Sequence, residues 1–223
     1  MVAKRKRRGG PSRSVAVPAD LAAGSAAGDL WSEDASEAAR AILTSAVLCF
    51  SRKGFHATTT RDITAAIGLS PGALYVHFPS KEDVLFEIVR TGHERALEAL
   101  RSQPDDGDTG GYVGRLVAEL VAWHARHHTM ARVCQYELAA LEPEHHAVVL
   151  ELRQRFTAVL RSAVTRGVRE GVFDVSDIDR SVRAIVSLGI DLVRWYSLEG
   201  ADSPETLADS YADLALRMLG AGP

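Results

Sequence analysis

The chain contains 223 residues, of which 46% are hydrophobic and 25% are charged, and its formal net charge is −3. This composition supports one good-sized folded domain or two small ones and excludes wholesale disorder. Arg, Asp, Glu or His interrupts every apolar run before it reaches about 18 residues, which argues against a membrane span. Two cysteines are too few for a disulfide framework, so we expect a protein of the reducing cytoplasm.

The first 32 residues are rich in Gly, Ala, Ser, Pro and basic residues and show no periodicity. The cluster Lys4–Arg8 resembles the start of a secretory signal, but no continuous apolar run follows it. We therefore expect residues 1–32 to form a disordered basic tail. Residues 40–81 carry a net charge of +4 and residues 82–223 a net charge of −8. A basic N-terminal third indicates a polyanionic partner for that part of the chain.

The next part of the chain shows the apolar spacing of amphipathic helices. A first helix is predicted to begin near Ser36 and to end at Gly54. Two short helices follow. Thr60 is the predicted N-cap of the first, and the second begins at Ser70 or Pro71.

A long fourth helix is predicted from Ser80, because Asp83 three residues later makes a near-capping box. After a loop rich in Asp and Gly, five more helices are predicted at about residues 112–127, 129–140, 143–170, 177–199 and 204–219. The predicted fold class is all-α, with about nine helices.

The strongest local pattern lies between residues 58 and 81. Two short helices joined by a Gly-containing turn are typical of a helix-turn-helix, whose second helix enters the major groove of DNA. The small residues Ser70-Pro71-Gly72-Ala73 allow its backbone to approach DNA closely. Tyr75 and His77 project from the following turn. We expect Thr60 and Ser80 to expose helix N-termini, whose free amides and dipole bind phosphate, and Lys81 to add a point charge beside one of them. The alternative is an ordinary αα-hairpin in which Tyr75 and His77 are packing residues.

Residues 36–90 closely resemble the TetR/AcrR family of one-component transcriptional repressors. Four blocks in order carry the resemblance: Phe50-Ser51-Arg52-Lys53-Gly54-Phe55, Thr59-Thr60-Arg61-Asp62-Ile63, Gly68-Leu69-Ser70 and Leu74-Tyr75-Val76-His77-Phe78-Pro79-Ser80-Lys81-Glu82. The resemblance implies a helix-turn-helix domain over residues 33–80. It also implies a ligand-binding and dimerisation domain over residues 81–223, in a homodimer that binds a double-stranded DNA operator.

Carried over by position, the family pattern assigns eight residues to the DNA contact. It places Arg61, Pro71, Gly72 and Tyr75 near the bases, and Thr60, Ser70, His77 and Lys81 near the phosphates. The helices at 177–199 and 204–219 correspond to the dimer interface of the family.

The C-terminal part is similar to the members of this family that sense acyl-CoA thioesters and control lipid or sterol catabolism. The similar blocks are Val168–Phe173, Val193–Tyr196 and Leu207–Gly220. The resemblance implies a small-molecule inducer, an acyl-CoA, in a helical pocket, and we expect no cofactor.

Trp123, Tyr136, Arg194 and Trp195 are the candidate ligand-binding residues. Arg194 is the candidate for a CoA phosphate, because a planar guanidinium suits that group. Its alternatives are a pairing with Asp191 or a stacking on Trp195.

Two other classes of function remain open from the residues. His124, His127 and His128 fall at i, i+3 and i+4, a spacing that suits zinc or copper in a metal-responsive regulator, although no second cluster completes the ligand set. A helical interaction module without specific DNA binding is the other alternative. We expect no enzyme, because the chain lacks a Gly-rich phosphate loop, a nucleophile elbow and a carboxylate–histidine metal motif.

Overall fold

The computed structural model describes residues 30–221, so residues 1–29 of the expected tail lie outside the described residues. This described part consists of helices and connecting segments without a β-strand. The α-helices are α1 (Glu37–Lys53), α2 (Thr60–Ala65), α3 (Pro71–His77), α4 (Lys81–Arg101), α5 (Thr109–Arg126), α6 (His128–Tyr136), α7 (Pro143–Arg169), α8 (Ile178–Trp195) and α9 (Pro204–Met218). The all-α prediction is confirmed. Between residues 30 and 221, no helix combines the length and the apolar character that crossing a membrane requires.

Side-chain caps determine where the first helices begin. Ser36 and Ser80 cap α1 and α4 through their hydroxyl groups, as predicted. In α2 the cap is Thr59, which forms a complete capping box with Asp62. The prediction that Thr60 caps this helix is wrong by one residue, because the box requires an acidic partner three positions later and only Thr59 has one.

The last residues of the expected tail belong to the fold. Leu30 and Trp31 are buried. Trp31 Nε1 donates a hydrogen bond to Thr44 Oγ1 at 2.9 Å, and Arg95 Nε donates to the carbonyl of Leu30 at 3.2 Å. The predicted boundary at residue 32 is therefore too late, because the indole buries a large apolar surface while its N–H finds a partner.

Helix α4 runs through two hydrophobic cores. Its first half packs with α1, α2 and α3, and also with Met130, Val133 and Cys134 of α6. Its second half packs with α5, α7 and α8. The predicted division between residues 80 and 81 therefore falls at the start of α4. This single helix belongs to both cores and joins them.

Helices α8 and α9 pack on α5 in the C-terminal half. The approach of α8 to α5 depends on Gly189, since a Cβ at that position would lie 2.8 Å from Leu120 Cδ2. Helices α4, α5, α6, α7 and α8 surround the cavity described below.

Candidate functional site

The helix-turn-helix is held against α1 by one apolar face. Ile63, Ile67 and Leu74 are buried. The turn between α2 and α3 is closed by Leu69 N, which donates to the carbonyl of Thr64 at 2.9 Å. Gly68 has φ +70, a left-handed conformation that glycine adopts without steric cost. This packing leaves the opposite, polar face of α2 and α3 outside.

Most of the residues predicted to contact DNA lie on that outer face. Tyr75 is 56% exposed although it is a large aromatic side chain. Arg61, Ser70, Pro71, Gly72 and His77 are also exposed, and Thr60 is half-buried. The hydroxyl of Ser70 makes no hydrogen bond that caps α3. In an ordinary αα-hairpin Tyr75 and His77 would be packing residues. Because both side chains are exposed, the structure does not support that alternative.

The N-termini of α2 and α4 are less open than the sequence suggested. The hydroxyls of Thr59 and Ser80 accept hydrogen bonds from amides of the first turns. Hydrogen bonds from the backbone and hydroxyl of Thr59, and then from Lys53, lower the pKa of Asp62 to about 2, so this carboxylate is ionised beside α2. The expectation of free amides at these two N-termini is therefore wrong for the amides that the caps occupy.

Lys81 is anchored inside the protein. Its Nζ donates to the carbonyls of Phe55 at 2.7 Å and Thr58 at 2.6 Å, and it lies 4.1 Å from the centre of the Phe55 ring. Burial lowers the pKa of Lys81. The expectation that Lys81 is a free point charge is therefore corrected, because two of its three donors already have partners. Its contact with phosphate stays a prediction.

A cavity of about 200 Å³ lies in the C-terminal half between α4, α5, α6, α7 and α8. Part of its wall is apolar and part is polar. The apolar part includes Ala96, Trp123, Ala131, Phe156, Val186 and Ile190, and the polar part includes His93, His124, Gln135, Arg153 and Thr157.

Arg153 is the charged residue of this cavity, and burial lowers its pKa. Its Nη2 donates to Gln135 Oε1, and no carboxylate in residues 30–221 forms an ion pair with it. Sequence reasoning missed it. The available signal was its spacing, since Arg153 follows Val149 by four residues and precedes Phe156 by three, on the buried face of α7.

Two histidines of the cavity are neutral at pH 7. His124 is buried and His93 is half-buried. Desolvation lowers the pKa of each to about 4, and the positive charge of Arg153 acts in the same direction. Each ring is held by its Nδ1, which lies 2.7 Å from the carbonyl of Leu120 in His124 and 2.8 Å from that of Val89 in His93.

A groove between α7 and α8 adjoins the cavity. Its volume is about 580 Å³, and it shares Arg153, Thr157 and Val186 with the cavity. Arg161 and Arg183 add two further guanidinium groups, of which Arg161 pairs with Asp179 at 3.0 Å. The cavity thus borders a larger groove with an excess of basic side chains.

Of the four predicted ligand residues, only Trp123 lines the cavity. Tyr136 and Trp195 are 52% and 48% exposed. Arg194 is exposed and forms an ion pair with Asp191 at 2.8 Å, one turn earlier on α8. The assignment of Arg194 to a CoA phosphate in the pocket is therefore corrected in favour of the pairing alternative, because its spacing of three from Asp191 places both on the outer face of α8.

The three histidines proposed as metal ligands are not brought together. His127 ends α5 and precedes α6, so the chain bends there and the i, i+3, i+4 geometry of a single helix is lost. Within residues 30–221, three candidate ligand atoms lie within 4.8 Å of one another only at Glu82, Asp83 and His145. The metal alternative through His124, His127 and His128 is therefore not supported.

Two segments of the chain match known families. Residues 42–88 match the family described as bacterial regulatory proteins, tetR family, and residues 113–219 match the tetracyclin repressor-like C-terminal domain. A crystal structure of a bacterial regulatory protein in the tetR family from Rhodococcus RHA1 is 39% identical, with a TM-score of 0.80 over 85% of this chain and 100% of that one.

Two further proteins are similar over most of the chain. The transcriptional repressor KstR2 of Rhodococcus jostii (strain RHA1) is 29% identical over 179 residues, which cover 78% of this chain and 87% of KstR2. The crystal structure of AibR in complex with isovaleryl coenzyme A and operator DNA is 21% identical, with a TM-score of 0.72 over 79% of this chain and 97% of AibR. At this identity the likeness to AibR concerns the fold.

Proposed function

The chain belongs to the TetR family of bacterial transcriptional regulators, and on this premise we propose that it is a repressor that an acyl-CoA thioester releases from its operator. In this proposal the protein acts in the cytoplasm and uses no catalytic residue. Its DNA-binding part is the helix-turn-helix, and its ligand-binding part is the cavity with the adjoining groove.

The DNA contact is assigned to the outer face of α2 and α3. Tyr75 and Arg61 are exposed there and reach base edges in this proposal, while Gly72 and Pro71 allow the backbone of α3 to come close. Thr60, Ser70 and His77 flank this group and are assigned to phosphates, which fix the orientation on the duplex.

A homodimer is assigned through α8 and α9. These helices expose large apolar side chains at Leu188, Trp195, Leu214 and Met218, with exposures between 38% and 48%. Exposed large apolar side chains on two packed helices are typical of a subunit interface. Two-fold pairing also presents two copies of α3 to the two half-sites of an operator.

One observation carries the ligand assignment: a largely apolar cavity adjoins, at Arg153, a groove lined by two more arginines. At about 200 Å³ the cavity is somewhat larger than the ~150 Å³ cavity that accepts benzene, so it suits a short acyl chain or a small ring system. The polyanionic CoA part then lies in the basic groove, where guanidinium groups pair with phosphates. AibR, which shares the fold, binds isovaleryl coenzyme A.

The experiment compares two arginine variants by calorimetric titration with acyl-CoAs and the matching free acids. Arg153→Met removes the charge between cavity and groove, and Arg194→Met removes an exposed arginine outside both. We expect thioesters to bind the Arg194 variant normally and the Arg153 variant about tenfold more weakly, since a hydrogen bond to a charged group contributes about 1.5–3 kcal/mol.

Two results would contradict the assignment. If free acids bind as tightly as their thioesters, the CoA part does not contribute to binding and the groove is not its site. Normal thioester binding by Arg153→Met would remove the role of that arginine. In either case the DNA-binding assignment is tested separately, by the affinity of the unliganded dimer for its operator.

A further inference from the structure

Two histidines lie in the part of the cavity wall that the groove does not share. His93 and His124 line the cavity, whereas neither lines the groove that shares Arg153, Thr157 and Val186 with it. With the CoA part of the ligand in the groove, the two histidines lie where the acyl group would be.

The hydrogen bonds of the two rings determine which nitrogen carries the proton. Each Nδ1 lies within 2.8 Å of a backbone carbonyl, and a carbonyl can only accept, so each Nδ1 is protonated. A neutral ring protonated on Nδ1 has a lone pair on Nε2. The lowered pKa of both side chains agrees with neutral rings. His93 and His124 therefore both offer acceptors.

A metal ion does not account for these acceptors. Within the described residues, neither histidine belongs to a set of three candidate ligand atoms that lie within 4.8 Å of one another. The neighbouring guanidinium of Arg153 also disfavours a cation at this place. An uncharged hydrogen-bond donor on the ligand meets both conditions.

We propose that the buried end of the inducer carries a hydroxyl group that donates a hydrogen bond to Nε2 of His124 or His93. This inference rests on the proposed function, since it describes the acyl part of the same ligand. A purely hydrocarbon end would leave the His124 acceptor buried and without a partner, which costs binding free energy. The ligand class is therefore a hydroxylated acyl-CoA.

The test measures the preference for a hydroxyl group by calorimetry. Hexanoyl-, octanoyl- and decanoyl-CoA are compared with the same thioesters hydroxylated at the terminal carbon. At the chain length that fits, we expect the hydroxylated thioester to bind wild-type protein about tenfold more tightly. This preference should be lost in His124→Phe or in His93→Phe, and retained in His56→Phe, which changes an exposed histidine outside the cavity. Equal binding of each pair by the wild type, or a preference that persists in both cavity variants, overturns the inference.

A second measurement separates this inference from the CoA assignment. Cyclohexanol and methylcyclohexane have similar sizes and contain no CoA, and the ¹⁵N resonance of Nε2 in wild-type protein reports hydrogen bonding directly. We expect cyclohexanol, and not methylcyclohexane, to shift the Nε2 resonance of His124 or His93. If thioesters fail to bind but cyclohexanol gives this shift, the proposed inducer class is wrong and the hydroxyl site stands. If cyclohexanol shifts neither resonance, the hydroxyl site is wrong.

Discussion

Acidification should destabilise this protein through the two histidines of the cavity. Their folded-state pKa is about 4, against an ordinary value of 6.5. Between these values the unfolded chain binds protons that the folded protein does not. The contribution of the two neutral histidines to the free energy of unfolding is therefore fully present above pH 6.5. It is lost as the pH falls towards 4.

The magnitude follows from these pKa values. For one histidine whose pKa changes from 6.5 to about 4 on folding, the free energy of unfolding falls by about 2 kcal/mol between pH 7 and pH 5. Both histidines together give about 4 kcal/mol, a large part of the ~5–15 kcal/mol that stabilises a typical domain.

Urea denaturation at a series of pH values measures this loss. The double variant His93→Phe/His124→Phe removes both groups, so its unfolding free energy should change with pH by about 4 kcal/mol less than that of the wild type over the same interval. His56→Phe, at an exposed position, should behave as wild type. If wild type and double variant lose stability in parallel, the histidines are not held neutral by burial and the reasoning is refuted.

Three other substitutions test the DNA-binding half and its connection to the cavity. Tyr75→Ala should lower discrimination between operator and random duplex by about 1–3 kcal/mol in a fluorescence anisotropy titration, whereas Val76→Ala, also exposed, should not. Lys81→Met should lower the free energy of unfolding by about 2 kcal/mol, because two backbone carbonyls lose a charged donor; an unchanged melting temperature contradicts this. If Lys81 also contacts phosphate, the same variant should lower the slope of log K for DNA binding against log salt concentration by about one unit in magnitude. Gly92→Ala should lower the free energy of unfolding by about 1–3 kcal/mol, because the added Cβ would lie 2.7 Å from Cys134 Sγ. Adding Cys134→Ala should restore the stability.

Local signals in the sequence were sufficient for the helix-turn-helix. Caps such as Ser36 and Ser80, and the breaking glycines Gly54 and Gly68, act within one turn of the chain, so they can be read without tertiary structure. The error at Thr60 has the same origin, because three threonines in succession offer competing caps and only the position of Asp62 distinguishes them.

The ligand residues depend on tertiary structure and were harder to predict. Arg194 follows apolar residues in the sequence, but its helix turns it outward, where Asp191 neutralises it. Arg153 looked like one of many arginines on a polar helix, and only the packing of α7 against α4 and α6 encloses it. Lys81 likewise had a clear role in the family pattern, but its anchoring to Phe55, 26 residues earlier, is a contact between segments distant in sequence.

The anchoring of Phe55 also explains how the cavity can act on DNA binding. Two helices that line the cavity hold the backbone of this residue. Lys81 of α4 donates to the carbonyl of Phe55, and the carboxylate of Glu137, at the C-cap of α6, accepts from the Phe55 amide at 3.1 Å. A short segment joins Phe55 to the start of α2 at Thr60. A ligand that binds equally well to the conformation that binds the operator and to one that does not leaves operator affinity unchanged, however tightly it binds. A tenfold release requires about 1.4 kcal/mol of differential affinity. A relative displacement of α4 and α6 would change these two contacts with Phe55, and through the segment before α2 it would shift the outer face of α2 and α3.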